Sequence, residues 1–244
     1  MIQAIALPRT SGAASVVDAI SAAANRTGVD FSYLLANARA ESGLNPNARA
    51  ATSSATGLFQ FTDATWLATV ARHGDKHGLA WAADALKSGT TGAVKQTILS
   101  LRHNAEVAAT MAGEFTRDNA QRLESATGRV AGAADLYLAA FFGAGGAIKF
   151  LKTMAVAPGM AAASLLPAAA AANRSTFYHQ DGRARSLAEV HDLVASRINR
   201  QLGGAAPADS GNRLPAGGTM LPAVDPALAA ARARMAYLVL AALQ

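Results

Sequence analysis

Apolar residues recur at helical spacing along most of the chain. A short segment in the first fifth of the sequence shows the pattern clearly, because four apolar residues lie three or four positions apart and would share one helix face. They are Phe31, Leu34, Leu35 and Ala38. Alanine is abundant, runs of β-branched residues are scarce, and no stretch alternates apolar and polar residues for long enough to form a sheet. The pattern therefore predicts an all-α fold.

The same periodicity predicts helices on both sides of this segment. They span 13–25, 63–73, 92–115, 117–126, 130–155 and 186–201. Residues 154–172 are poor in charge but are interrupted by Pro158 and Pro167. We interpret them as a helix–loop–helix wall, because the interruptions make them a weak candidate for a membrane span.

Composition divides the chain into four parts. Residues 1–12 are predicted to be irregular, and 13–202 to form the helical domain. Residues 203–227 are rich in Gly, Pro and Ala and form a linker, and 228–244 form a C-terminal helix. This last helix is too short and too interrupted to span a bilayer. It either folds back on the domain or docks a partner.

Glu41 stands in the last turn of the helix predicted from the first pattern. Asp30 or Thr27 can cap the start of this helix, and Gly43 ends it. The unpaired carbonyls at a helix C-terminus favour the neutral carboxylic acid by about 0.3–1 kcal/mol. A general acid that works near neutral pH needs more than this, so burial against apolar residues must supply the remainder.

Two short motifs follow one another around this carboxylate. They are residues 40–46, Ala-Glu-Ser-Gly-Leu-Asn-Pro, and residues 57–61, Gly-Leu-Phe-Gln-Phe. Together they resemble the catalytic core of the soluble lytic transglycosylase-like enzymes, lysozyme-like proteins that cut the glycan strands of peptidoglycan. In that family the Glu-Ser pair precedes a Gly-Leu-Met-Gln element, and Phe59 stands here where Met is commoner. The resemblance implies a lysozyme-like helical domain with short active-site loops.

The resemblance also implies a mechanism. Glu41 would protonate the leaving oxygen, the substrate's N-acetyl group would act as internal nucleophile, and Glu41 would then help the C6 hydroxyl form a 1,6-anhydro sugar. No second carboxylate is tightly linked to Glu41, which fits substrate assistance. Glu114 can point into the cleft, although a solvated or salt-bridged helix residue is the favoured interpretation. No metal or organic cofactor is implied.

Several substrate-binding residues are predicted from the second motif. Ser42 can orient Glu41 or bond the sugar, Gly57 lets backbone approach the glycan, and Leu58 and Phe59 are apolar cleft residues. The Gln60 amide suits a sugar's acetamido or hydroxyl groups. A loop-to-backbone hydrogen bond is the alternative role for Gln60.

One element departs from the resembled family. The family usually carries Ala-Tyr-Asn-Ala-Gly further along, and the matching positions here hold Phe141 and Phe142. Their contact with the sugar would therefore be stacking. Hydrogen bonding to Glu41 would come from Tyr137 or Tyr178, and the resemblance favours Tyr178.

The net charge and the remaining residue patterns favour some binding partners and exclude some kinds of chemistry. The formal net charge of +6 favours anionic partners such as cell-wall polymers. Nucleic acid is disfavoured because Lys and Arg are dispersed. The chain has no cysteine, so thiolate chemistry is excluded.

His73 and His77 are a weak candidate for a metal site, and the alternative is that both lie in a solvated loop. Trp66 and Trp81 are expected in the core more than as sugar platforms.

The sequence thus predicts a lytic transglycosylase that cleaves the β-1,4 bond between N-acetylmuramic acid and N-acetylglucosamine. The alternatives are a non-catalytic peptidoglycan-binding or envelope-assembly module, and a hydrolytic muramidase. The first residues do not form a signal peptide. A periplasmic or envelope location therefore implies a cleaved signal or another export route, such as a flagellar apparatus. An envelope or flagellar assembly partner can dock on the C-terminal helix, and no transmembrane segment is expected.

Overall fold

The computed structural model describes residues 15–51 and 53–201. The predicted irregular segment 1–12, the linker 203–227 and the C-terminal helix 228–244 lie outside the described residues, so the four-part division stays a prediction. Within the described ranges the chain is helical and its β structure consists of isolated bridges. This confirms the all-α prediction.

The helices follow one another with short connections. They are α1 (Val16–Thr27), α2 (Phe31–Ser42), α3 (Asp63–His73), α4 (Ala80–Lys87), α5 (Gly92–Ser100), α6 (Ala105–Thr127), α7 (Ala133–Val156), α8 (Ala162–Leu165), α9 (Pro167–Ala172), α10 (Arg174–Phe177) and α11 (Leu187–Gln201). Two 3₁₀ turns join them, at Gly74–His77 and Leu101–His103.

The predicted boundaries of α2 are confirmed by its caps. The Asp30 carboxylate accepts a hydrogen bond of 2.8 Å from the backbone N–H of Tyr33, so Asp30 and not Thr27 is the N-cap. Gly43 ends the helix with φ at 61°, the left-handed conformation that glycine adopts without steric cost. Glu41 therefore occupies the last turn, as the sequence predicted.

The predicted helices 92–115 and 117–126 are wrong. The chain breaks at the 3₁₀ turn Leu101–His103, and α6 then runs without interruption through residue 116. Asn104 is the N-cap of α6. Its backbone is extended, which ends the preceding turn, and its side-chain oxygen accepts a hydrogen bond from the backbone N–H of Val107. Apolar periodicity continues across this break, so the pattern concealed it. The sequence also missed α4, which is too short to establish a period.

Two groups of buried residues form the core. The first core cluster joins α1 to α6, and its largest members include Ile20, Leu34, Trp66 and Met111. The second core cluster joins α7 to α11 and includes Leu138, Phe150, Phe177 and Leu187. The side chains of Ala133 and Leu136, at the start of α7, pack against both clusters. The beginning of α7 is therefore the joint between the two halves of the domain.

The two tryptophans contribute to the first core cluster. Trp66 is fully buried and its indole N–H donates a 2.8 Å hydrogen bond to the carbonyl oxygen of Ile98. Trp81 is partly buried against the same cluster. Both findings support the core interpretation over a sugar platform.

The helix α7 is long and apolar enough to cross a membrane by length and composition alone, with a mean hydropathy of 1.3. Half of the apolar window is buried inside the protein. The helix is also interrupted at Gly143, whose φ of 71° and ψ of 160° are not helical. We therefore interpret α7 as a core helix.

Candidate active site

A cleft lies where the two core clusters meet. Its walls come from α2, from the 55–62 loop with the first turn of α3, from one face of α6, and from the start of α7. Most of the lining is apolar, with a small number of polar side chains, which is the usual composition of a ligand site.

The α2 wall places Glu41 in the cleft. Tyr33, Asn37 and Glu41 are four residues apart and all three line the cleft, because residues at i and i+4 share a helix face. Glu41 is partly buried, and Phe59 and Phe61 line the same cleft. Among the described residues that line it, Glu41 is the one carboxylate.

The 55–62 loop supplies the floor of the cleft. Thr56 forms isolated bridges with Arg49 and Phe61, which fold the loop back on itself. The Gln60 side-chain N–H group donates to the carbonyl oxygens of Gly57 at 2.9 Å and of Ala48 at 3.2 Å. These bonds hold Gln60 at a φ of 49°, which is uncommon for a residue other than glycine. Gln60 thus lines the cleft while its amide N–H group stabilises the loop.

Arg102 fixes this loop from behind. Its guanidinium donates hydrogen bonds of 2.9 Å to the carbonyl oxygens of Ser54 and Phe61, and it pairs with Asp63 at 2.8 Å. Burial lowers the pKa of Arg102, and the Asp63 carboxylate opposes that shift. The carbonyl of Arg102 lies so close to Gly57 that a Cβ there would overlap it. Gly57 is therefore required by contact with Arg102, whereas the sequence predicted contact with a glycan.

Ser42 joins the Glu41 helix to the loop. Its hydroxyl donates to the carbonyl oxygen of Leu58 at 2.8 Å and to that of Ala38 at 3.1 Å. Leu58 itself is fully buried in the first core cluster. Neither Ser42 nor Leu58 lines the cleft, so the geometry gives both a positioning role.

The walls from α6 and α7 were not predicted from the sequence. Four residues on one face of α6 line the cleft: Ala112, Phe115, Thr116 and Asn119. On α7 the lining residues are Leu136 and Ala140, one turn apart. The sequence shows that these residues are three or four positions apart and share a helix face. The spacing does not reveal whether that face borders a cleft or packs in the core.

A family model described as the transglycosylase SLT domain matches residues 18–122. The matched segment contains α2, the 55–62 loop and the cleft-lining face of α6. Residues 18–122 belong to the lytic transglycosylase, lysozyme-like family. Domains of this family act on the glycan strands of peptidoglycan in the cell envelope. The cleft of the transglycosylase domain extends beyond the matched segment, because Leu136 and Ala140 complete it.

The transglycosylase domain buries the two phenylalanines that replace the expected Tyr-Asn element. Phe141 and Phe142 are each 5% exposed and belong to the second core cluster. The Phe142 ring lies 5.8 Å from that of Phe177 and 5.9 Å from that of Phe150. Neither residue is among those that line the cleft, and their rings pack in the core, so stacking on a sugar stays a prediction.

Of the two candidate tyrosines, Tyr137 is the one whose surroundings include a residue of the α2 wall. Burial raises the pKa of Tyr137 to about 12; Arg197 opposes this shift, while the nearby Tyr33 adds to it. Tyr33 lines the cleft, so the side chain that adds to the raised pKa of Tyr137 belongs to the α2 wall. Tyr178 packs at the second core cluster, where the Arg174 guanidinium lies 4.8 Å from its ring centre. This placement favours Tyr137 over Tyr178, contrary to the preference from the sequence.

Glu114 does not point into the cleft of the transglycosylase domain. It is 1% exposed and accepts a 2.7 Å hydrogen bond from His77, and Arg117 pairs with the same carboxylate. His73 is also buried and contacts Asp118 at 2.9 Å. The two histidines thus belong to a buried ionic cluster and not to a solvated loop. Within the described ranges, no group of three or more ligand-type residues is arranged to hold a metal ion.

Proposed function

We propose that this protein is a peptidoglycan lytic transglycosylase in which Glu41 alone serves as acid and then as base. The bond cleaved is the β-1,4 link between N-acetylmuramic acid and N-acetylglucosamine. One observation carries the proposal. Among the described residues that line the cleft, Glu41 is the one carboxylate, and this cleft includes residues of the segment that matches the transglycosylase SLT domain. A glycosidase with two catalytic carboxylates would place both at the scissile bond.

The first step breaks the glycosidic bond. Glu41 gives its proton to the glycosidic oxygen as the bond from C1 to that oxygen breaks, and the oxygen of the substrate's 2-acetamido group bonds to C1. Phe59 and Phe61 support the acid form of Glu41, because an apolar surrounding disfavours the charged carboxylate.

The second step forms the anhydro ring. The Glu41 carboxylate takes the proton of the C6 hydroxyl, and the C6 oxygen bonds to C1 and displaces the acetamido oxygen. The product carries a 1,6-anhydro-N-acetylmuramic acid end, and Glu41 regains its proton. This sequence of steps uses no metal or organic cofactor.

The predicted site residues divide into two roles under this proposal. Phe59 and Gln60 line the cleft and bind the glycan, and Tyr137 supports the Glu41 wall. Ser42, Gly57 and Leu58 hold the loop against α2. The net charge of +6 favours binding to the anionic wall polymer, and we propose a periplasmic or envelope location. An assembly partner at the C-terminal helix stays a prediction.

The second candidate is a non-catalytic peptidoglycan-binding module of the same fold. It is favoured by one observation, the burial of Phe141 and Phe142 where the family carries Tyr and Asn. A hydrolytic muramidase differs only in using water in place of the C6 hydroxyl.

Digestion of purified sacculi followed by mass spectrometry of the released muropeptides separates these functions. We expect 1,6-anhydro ends. Hydrated reducing ends would identify a muramidase, and binding to sacculi without any release would identify a binding module. Either result would overturn the proposed transglycosylase.

A further inference from the structure

Asn119 is a buried polar residue whose side chain has no hydrogen-bond partner in the described part of the protein. It lies on α6, is 5% exposed, and lines the cleft. Its amide atoms are not among the polar atoms that are sealed from solvent without a partner, so they open into the cleft. An amide in this position has two donors and one acceptor directed at the space that a substrate would fill.

Two other buried or partly buried polar side chains form hydrogen bonds within the protein. Asp118, the preceding residue, is held by Arg72 and His73. Asn173 is buried to the same degree; its amide N–H group donates a 3.0 Å hydrogen bond to the carbonyl oxygen of Ala169, while its Oδ1 has no partner among the described residues. A buried amide without a partner costs about 1–3 kcal/mol of stability, so most are satisfied within the protein. Asn119 therefore resembles a group that is completed by a ligand.

We propose that Asn119 binds the acetamido group of an N-acetylated amino sugar in the cleft. This inference rests on the proposed function and adds a residue that selects the substrate. In this arrangement the side-chain N–H group of Asn119 donates to the acetamido carbonyl oxygen, because the trans acetamido amide directs its own N–H the opposite way. The oxygen of a 2-hydroxyl lies two bonds nearer to the sugar ring and does not reach the same N–H group.

The surroundings of Asn119 suit the rest of the acetamido group. Ala112, Phe115 and Thr116 lie on the same face of α6, and Leu136 faces the cleft from α7. The Phe115 ring stands edge to face with that of Phe61, with ring centres 6.0 Å apart. The apolar members of this set, Ala112, Phe115 and Leu136, can cover the acetyl methyl while Asn119 donates to the acetamido carbonyl oxygen. A sugar without the acetamido group does not form this hydrogen bond, and water in the cleft solvates the Asn119 amide instead.

The test uses the full chain and two neutral probes, tetra-N-acetylchitotetraose and cellotetraose, which share the β-1,4 linkage and differ at the 2-position. Calorimetric titration gives the affinity for each. We expect the parent to prefer the acetylated probe. Asn119→Leu keeps the branched shape of the side chain but removes the amide, so the acetamido carbonyl loses its donor and binding of the acetylated probe should weaken by about 5- to 100-fold. Binding of cellotetraose should stay within about twofold of the parent value.

Two further variants make the result interpretable. Gln121→Leu changes an exposed amide on the same helix and should leave both affinities unchanged. Asn119→Asp keeps the shape and the acceptor but loses both donors, and it should also lose preference for the acetylated probe. Because the measured quantity is a ratio of two affinities, reduced folding of a variant does not imitate the expected result.

The outcomes also separate this inference from the proposed function. If the parent releases anhydro-muropeptides while Asn119→Leu and Asn119→Asp keep the parent ratio of affinities, the inference is wrong and the function stands. An equal loss of affinity for both probes likewise contradicts recognition of the acetamido group. If the parent releases no product but loses its preference on substitution of Asn119, the inference stands and the proposed catalysis fails.

Discussion

The Ser42 hydroxyl donates a 2.8 Å hydrogen bond to the carbonyl oxygen of Leu58. This bond connects the last residue of α2 to the loop that carries Phe59 and Gln60, sixteen positions later in the chain. Because Glu41 precedes Ser42, the bond also sets the position of Glu41 relative to the floor of the cleft.

Substitution of Ser42 by Ala should reduce both stability and turnover. The Leu58 carbonyl loses its side-chain donor, which should lower the free energy of unfolding by about 0.5–1.5 kcal/mol. The loop can then shift relative to Glu41, and small displacements of catalytic groups lower kcat. Denaturant unfolding and initial rates of muropeptide release measure the two effects. Ser32→Ala, at an exposed position of the same helix, is the control. Equal behaviour of the two variants would contradict the role given to Ser42.

Glu41→Gln should abolish glycan cleavage and leave the fold intact. The amide has no proton to transfer, and general acid–base catalysis contributes about 10²–10⁴-fold, with more lost when one group serves both steps. Release of muropeptides from sacculi gives the rate, and circular dichroism with thermal melting tests the fold. Glu106→Gln alters a half-exposed carboxylate on α6 that pairs with Arg26, and it should retain activity. Cleavage by the Glu41 variant at the parent rate would remove Glu41 from the mechanism.

Gly57→Ala should destabilise the protein far more than Gly28→Ala. Both glycines have positive φ, 81° and 71° respectively, so both substitutions incur conformational strain of about 1 kcal/mol. Only at Gly57 does the added Cβ overlap the backbone carbonyl of Arg102, while Gly28 has open space around it. We expect a further loss of about 1–3 kcal/mol for the Gly57 variant. Chemical denaturation of both variants measures the difference, and equal losses would show that the loop relaxes away from Arg102.

Asp135 should make the domain sensitive to acid. Burial acts to raise the pKa of Asp135, but hydrogen bonds from His191, Arg129 and the backbone N–H of Gly132 outweigh it and hold the pKa well below its usual range. A carboxylate with a lowered pKa in the folded state stabilises the fold above the unfolded pKa of about 3.9. That contribution is lost as the pH falls below about 4 toward the folded pKa.

Asp135→Asn tests this origin of acid sensitivity. At pH 7 the variant should be less stable by roughly 1.5–3 kcal/mol, because it loses hydrogen bonds between charged groups. Its free energy of unfolding should then fall less steeply than that of the parent between pH 4 and pH 2. Unfolding curves across this range provide the comparison. Asp84→Asn, at a largely exposed carboxylate, should keep the parent slope. A parent slope in the Asp135 variant would assign the acid sensitivity to other carboxylates.

Local residues were sufficient to predict α2 and α3. Asp30 and Gly43 stand at the ends of α2, and the predicted helix 63–73 agrees with the observed one. Helix caps and apolar spacing involve residues that are close together in the chain. A short segment of sequence therefore contains the residues that determine where such a helix begins and ends. The break before α6 was not predicted, because the choice between a 3₁₀ turn and continued helix at 101–104 depends on how Arg102 is held by the 55–62 loop.

The residues that line the cleft likewise include some that the sequence predicted and some that it did not. The two motifs predicted Glu41, Phe59 and Gln60 as site residues, and the structure brings all three to one cleft, although their roles stay predictions. Asn119 and Leu136 were missed, because each is distant in the chain and belongs to a helix whose other faces look equally regular.

The sequence by itself determined the all-α fold, the helix that ends at Glu41 and the family of the domain. Each of these follows from residue types and spacings within short segments, where backbone conformation and local hydrogen bonds decide the outcome. Only the tertiary structure decided which helix faces border the cleft, that Phe141 and Phe142 are buried in the core, and that Gly57 meets Arg102. These contacts join residues that are distant in the chain, and their energies depend on how whole helices pack.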